Sequence, residues 1–152
     1  MATQLEFRPA SSADLPFLMA LRHATMNEHL ARANAASNDA AHLARILFQF
    51  EHAQIISIAG QQIGLLKAYR EPTQWYIAQI QITPAFQGQG LGRLLIDKVL
   101  AQAGHDRLPT VLSVLDGNPA RRLYEVAGFK EVGRDGTACL MSCPPQTAAA
   151  SA

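Results

Sequence analysis

The sequence predicts a mixed α/β (α+β) domain, a mostly antiparallel twisted sheet of roughly six to seven strands flanked by about four helices. Three observations lead there. Short apolar segments at strand period, separated by Gly- and Pro-marked turns, fill residues 53–82. Segments of helical period with recognisable start signals stand on either side of them. Between the two patterns a buried strand runs through Pro84 into a loop with glycines at 88, 90 and 92, then into a long apolar-faced helix.

Bulk properties narrow the class further. A chain of 152 residues suits one domain with a real core and leaves no room for two. That domain is expected over residues 1–143, with a low-complexity, disordered tail over 144–152. A net charge of +1 provides no broad field to recruit nucleic acid or an anionic membrane, so any anion site must be local. Cys139 and Cys143 have no second pair to complete a metal site, and read as reduced structural thiols. No metal site is therefore expected. The first residues lack an apolar signal core, and no apolar run is long enough to span a bilayer, which gives a cytoplasmic expectation.

Taken in order, Leu5-Glu6-Phe7-Arg8 alternates and ends at Pro9, a short first strand. Ser11 and Asp14 stand at capping-box spacing before a helix that carries Leu15, Leu18, Met19 and Leu21 inward. An Ala- and Asn-rich break over 34–38 precedes a second helix, Asp39 to Phe48, with Leu43, Ile46 and Leu47 on one side. Ala53 to Ile58 and Ile63 to Tyr69 form a hairpin across Ala59-Gly60-Gln61-Gln62. A turn at Arg70 to Thr73 leads to the strand Trp75 to Ile82, completing an antiparallel meander. Strict alternation in that strand puts Tyr76, Ala78, Ile80 and Ile82 on one face and Ile77, Gln79 and Gln81 on the other. The glutamines are then either exposed or lining a cleft.

The helix after the glycines is apolar around most of its circumference and must pack on the sheet. Thr110 to Leu115 is a strand. Asn118 caps a short helix that opens at Pro119, carries Ala120, Leu123, Val126 and Ala127 on one arc, and stops at a left-handed Gly128. Strands at Phe129 to Val132 and Thr137 to Ser142 follow, joined by Gly133-Arg134-Asp135-Gly136.

Strand, glycine loop and helix N-terminus together make a cradle for a phosphate, because main-chain N–H groups and the helix dipole point at the loop. A dinucleotide fold is excluded as its source. Arg93 stands where the third glycine of that fingerprint belongs, antiparallel strands precede the loop, and Pro109-Thr110-Val111 occupies the place of the ribose-binding acid. The nucleotide-kinase loop fails as well, since no Gly-Lys-Ser/Thr follows. A tight turn without any ligand is the remaining alternative.

Gln87-Gly88-Gln89-Gly90-Leu91-Gly92 resembles the Gln/Arg-x-x-Gly-x-Gly/Ala motif of the GNAT superfamily of N-acetyltransferases. Downstream, Asn118-Pro119-Ala120-Arg121-Arg122-Leu123-Tyr124-Glu125-Val126-Ala127-Gly128-Phe129 is similar to that superfamily's second signature, and the likeness covers roughly residues 4 to 142. The resemblance implies acetyl-CoA as co-substrate. Its diphosphate would rest on the main chain of Gln87, Gly88, Gln89, Gly90, Leu91 and Gly92, with Arg93 opening the helix. Its pantetheine arm would lie along Ile80, Gln81 and Ile82 like an added strand, and Asn118 would reach the arm or its neighbouring backbone. Gln87, in place of the commoner Arg, would offer a neutral amide.

The same resemblance makes Tyr124 the acid that protonates the leaving thiolate, with a backbone N–H near Ile82 facing the developing oxyanion. No residue stands out as a base. Gln79 and Gln81 could hold water, while Glu28, His29, His23 and Glu71 are weak candidates for a relay. Arg121 and Arg122 could meet the adenosine phosphates or simply form a solvated face with Glu125. The acceptor implied is a small-molecule amine or a protein amino group, and a homodimer is compatible with the family. A non-catalytic acyl-CoA-binding regulatory module is the alternative.

Overall fold

The structure, a computed structural model, describes residues 4–32 and 38–146, with side chains described outside 27–32. The strands are β1 (Leu5–Pro9), β2 (Ala53–Ile58), β3 (Gln61–Arg70), β4 (Trp75–Ile82), β5 (Thr110–Leu115), β6 (Lys130–Asp135) and β7 (Ala138–Cys143). The helices are α1 (Leu15–Arg32), α2 (Asp39–Leu47), α3 (Leu91–His105) and α4 (Ala120–Ala127). All seven strands join one sheet in the order β1-β2-β3-β4-β5-β7-β6. Every pairing is antiparallel except that of β4 with β5. The expected mixed fold is the one the chain adopts.

Each face of the sheet carries its own core. On one face Leu95, Ile96, Val99 and Leu100 of α3 pack against Ile56, Ile63, Leu66, Leu112 and Met141. On the other, Leu18 and Leu21 of α1 and Ile46 of α2 close over Ala53, Ile55 and Leu65. Truncating one such side chain to Ala would cost about 2–5 kcal/mol.

Local chemistry explains the element ends. The Ser11 N–H donates to Asp14 Oδ2 at 2.8 Å, and Arg8 clamps the same carboxylate through Nη1 at 2.9 Å and Nη2 at 2.7 Å. A turn of 3-10 helix over Ser12–Asp14 therefore precedes α1, and Pro16 sits harmlessly in the first α-helical turn. Asn38 caps α2 by accepting from the Ala41 N–H at 2.8 Å. The β2–β3 connection is tighter than the expected Ala59–Gln62 loop. Gln61 and Gln62 already pair with β2, leaving Ala59 (φ 50°) and Gly60 (φ 82°) as a two-residue left-handed turn. β6 likewise runs on to Asp135, through the expected turn at 133–135.

Three expectations about faces are corrected. A register shift between Lys67 and Ala68 leaves Ala78 as an extra residue in β4. Ile77 is thereby moved to the α3 face with Ile80 and Ile82, while Gln79 and Gln81 keep company with Lys67 and Leu65 under α1 and α2. In α2, His42 and Ile46 are the buried residues, whereas Leu43 and Leu47 are exposed. In α4, Val126 is 68 % exposed and so lies off the apolar arc. Beyond β7, Gln146 Nε2 donates to the Ala127 carbonyl at 3.4 Å, so the packed chain continues a few residues past 143. Residues 147–152 of the expected tail, and residues 34–37 of the expected break, lie outside the described residues.

Candidate active site

The site begins where the sheet comes apart. β4 and β5 pair only at Trp75↔Thr110, Tyr76↔Val111 and Ile77↔Leu112. The bulge at Ala78 follows at once, and its carbonyl accepts from Arg45 Nη2 of α2 at 2.7 Å. From there to Ile82 the edge of β4 facing β5 has no ladder. The alternation of the strand fixes which groups it offers. The Thr83 N–H turns to β3, onto the Ile63 carbonyl at 2.8 Å, so Ile82 presents its own N–H and C=O to the open side. Gly64 opposite permits this close pairing, because an added Cβ there would collide with the Gln81 carbonyl.

Two cavities open off this edge. One, about 440 Å³, runs between β4, β5, α1 and α2 and reaches Arg22, Arg45, Gln79, Gln81 and Asp135. The other, about 400 Å³, lies over the glycine loop between Phe86, Arg93 and Leu123. Met26, Ile80, Gln81, Asn118 and Tyr124 line both. Of the two options left open for the glutamines, the cleft is correct. Both are buried, with Gln79 4 % exposed, and neither Gln79 Oε1 nor Nε2 nor Gln81 Oε1 has a hydrogen-bond partner among the described residues.

The loop is exposed from Gln87 to Gly90. Gly88 (φ 78°) and Gly90 (φ 80°) are left-handed, a conformation that costs other residues roughly 1–2 kcal/mol. Open space surrounds both Cβ positions. Gly92 serves packing instead, since a Cβ there would stand 3.3 Å from Leu123. Among the described residues, no turn or loop backbone bond takes the N–H groups of 88, 89 or 90, and those of Leu91, Gly92 and Arg93 open α3 without intrahelical acceptors. The Gln87 side chain folds inward, donating to the Ile82 carbonyl at 2.9 Å, so it braces the loop on β4. Arg93 lies along α3, donating to Asp97 at 2.9 Å.

Tyr124 comes from α4, whose end is set by Gly128 (φ 113°). Its ring is buried, edge-on to Phe129 with centroids 5.9 Å apart. Burial pushes its hydroxyl pKa up to about 12. Asn118 accepts from the Ala120 N–H at 2.9 Å and so caps α4, which starts one residue later than expected. Cap and cavity wall are compatible duties.

Other candidates are placed elsewhere. Arg121 is tied to Glu125 and Glu131, the solvated-face alternative. Glu71 accepts from Gln74 in the β3–β4 turn, and His23 bonds Asp39. The side chains of Glu28 and His29 lie outside the described residues. Sequence reasoning missed a buried cationic group under α2. Lys67, 1 % exposed, donates to the carbonyls of Arg45 (3.0 Å), Ile46 (2.9 Å) and Phe48 (2.5 Å), and Arg22 Nε donates to His42 Nδ1 at 2.9 Å. A lysine inside the otherwise apolar Ile63–Tyr69 run was the available signal.

A mostly antiparallel sheet thus splays beside a glycine loop, with a tyrosine where two cavities meet. The family model described as acetyltransferase (GNAT) family matches residues 18–129, and the chain belongs to that family. A [ribosomal protein bS18]-alanine N-acetyltransferase of Haemophilus influenzae is 44 % identical over 83 residues, 54 % of this chain. That match spans about half, 52 %, of the relative's length. Among solved structures, the PaiA N-acetyltransferase of Thermoplasma acidophilum in complex with coenzyme A superposes with a TM-score of 0.72 at 14 % identity, covering 93 % of this chain and 99 % of that one. The ribosomal-protein-S18-alanine N-acetyltransferase of Escherichia coli gives 0.69 at 19 % identity, with 95 % and 96 % covered. At these identities the two structures share the fold.

Proposed function

We propose that the protein is an acetyl-CoA-dependent N-acetyltransferase that moves the acetyl group to a primary amine by direct attack in a ternary complex. The observation that carries this is the junction of the two cavities at Tyr124 and the open edge of β4. The chain's groups fit the cofactor. Residues 88 to 93 offer main-chain N–H groups to a diphosphate, and the β4 edge over Ile80 to Ile82, where the Ile82 N–H is open and its carbonyl is held by Gln87, offers strand pairing to an amide-bearing arm. Bound there, acetyl-CoA supplies an activated thioester carbonyl.

The residues then divide the work. The Ile82 N–H faces the edge where negative charge develops on the carbonyl oxygen. Tyr124, protonated throughout the neutral range, holds the proton that the departing sulfur needs. One C–N bond forms and one C–S bond breaks; one proton leaves the nitrogen and one reaches sulfur. The cavity beneath α1 and α2 receives the acceptor. The Haemophilus relative acts, by its name, on an alanine of a ribosomal protein, which supports including a protein N-terminus beside small amines.

The test is thiol release from acetyl-CoA with a panel of small amines and an alanine-terminated peptide, read beside calorimetric binding of coenzyme A. An acetylated product with Gly90→Glu losing at least about tenfold in cofactor affinity is expected. Gly60→Ala, left-handed but remote, controls for backbone strain. Cofactor binding with no product from any amine would leave only an acyl-CoA-binding module.

A further inference from the structure

We propose that the acceptor is a primary amine whose own molecule carries a carboxylate several bonds away, and that Arg22, Arg45 and Gln79 receive that carboxylate while the amine reaches Tyr124. This deepens the acetyltransferase reading and rests on it.

Among the described residues, the acceptor cavity carries cationic charge with no carboxylate paired to it. Arg22 is 6 % exposed and Arg45 half-buried, and both line it. Among the described residues neither guanidinium has a carboxylate within ion-pair distance; Arg22 meets the His42 ring, and Arg45 the Ala78 carbonyl and the face of Phe48. The one carboxylate on the described lining, Asp135, stands on β6, with β7 and β5 between it and β4. Lys67 adds a third cation behind them but spends its three N–H bonds on the end of α2. Burying a cation without counter-charge is unfavourable, and a bound anion would offset that cost.

Gln79 is the second, independent observation. Gln79 lines the same cavity, nine-tenths buried, and neither polar atom of its amide has a partner among the described residues. An amide N–H beside planar guanidinium groups suits a carboxylate, which accepts several such bonds at once. Placement sets the spacing within the ligand. Arg22 stands one helical turn, about 6 Å along α1, before Met26, which lines both cavities, so the anion subsite is set back from the junction. Amine and carboxylate must therefore be several bonds apart. The cationic field also favours the neutral form of an incoming amine, as it does for Lys67, whose pKa falls to about 8 through burial, then Arg45 and Arg22.

Matched acceptors test this on the unaltered protein. δ-Aminovalerate is compared with pentylamine, and the peptide amide Ala-Glu-Ala with Ala-Gln-Ala, to separate a small-molecule from a peptide source. In at least one pair the carboxylate member is expected to show a kcat/KM about ten- to a hundredfold higher, expressed mainly in KM. Arg45→Gln and Gln79→Met, with folding verified by circular dichroism, are expected to bring that ratio towards one. Acetylation of all four acceptors without preference overturns the proposal and leaves acetyl transfer standing. No product from any amine overturns the underlying reading, and the proposal with it.

Discussion

Burial of the Tyr124 ring penalises its phenolate, and the hydroxyl therefore holds its proton up to about pH 12. A raised pKa in an acid means the donor form is present below that value and is lost only as pH rises through it. The pH profile of kcat should thus show no fall attributable to Tyr124 between pH 7 and 10, with the rising limb reporting the acceptor amine. Tyr124→Phe should lower kcat by an order of magnitude or more while leaving the affinity for acetyl-CoA within a few-fold. Steady-state kinetics across pH checks both. At this scale much was legible. The Leu-Tyr-Glu run on a short helix was enough to single out Tyr124, which the fold sets where the two cavities meet, and the alternate spacing was enough to single out the glycines, of which 88 and 90 are left-handed. Gln79 and Gln81 were ambiguous between surface and cleft because alternation alone does not say which face is covered.

The bulge at Ala78 decides that question for β4 as an element. One extra residue re-aims Ile77 into the α3 core and leaves both glutamines beneath α1 and α2. No residue type marks such an insertion, so a strict period of two misassigned Ile77. The face of α2 was misread for a related reason. A helix of nine residues offers few positions to judge, and Lys67 beneath it sets its seat by taking three of its terminal carbonyls. Lys67→Met keeps the volume and removes the donor. It should cost about 2–3 kcal/mol, chiefly by leaving those carbonyls unsatisfied in the interior. The shift in urea midpoint at constant slope measures it. By contrast, the seven strands and four helices themselves were readable from period and caps, with ends moved by one to three residues where pairing outran the turn residues.

For the molecule as a whole, Asp14 ties the first strand to the first helix and reaches the β2–β3 hairpin, where Gln62 donates to it at 3.4 Å. Arg8 holds its carboxyl well below the usual carboxylate range, mainly through their hydrogen bonds. With a depressed native pKa, the stabilisation is complete above the unfolded value of about 4 and drains away as pH falls beneath it. Arg8 is half exposed, so solvent screening keeps the contribution of the pair small. Unfolding followed from pH 7 to 2 should show that acid loss, and Asp14→Asn should flatten it. Global topology was the least legible layer. That the last strand inserts beside β5 rather than following β6 at the margin depends on contacts far apart in the chain.

That insertion has a bearing on how the chain assembles. Because β7 is synthesised after β6 yet lies between β6 and β5, a nascent chain lacking it leaves β5 fastened to its fellow strands by three residue pairs alone. The meander can form early. The wall that carries Tyr124 can lock into position only when synthesis of the domain is almost finished.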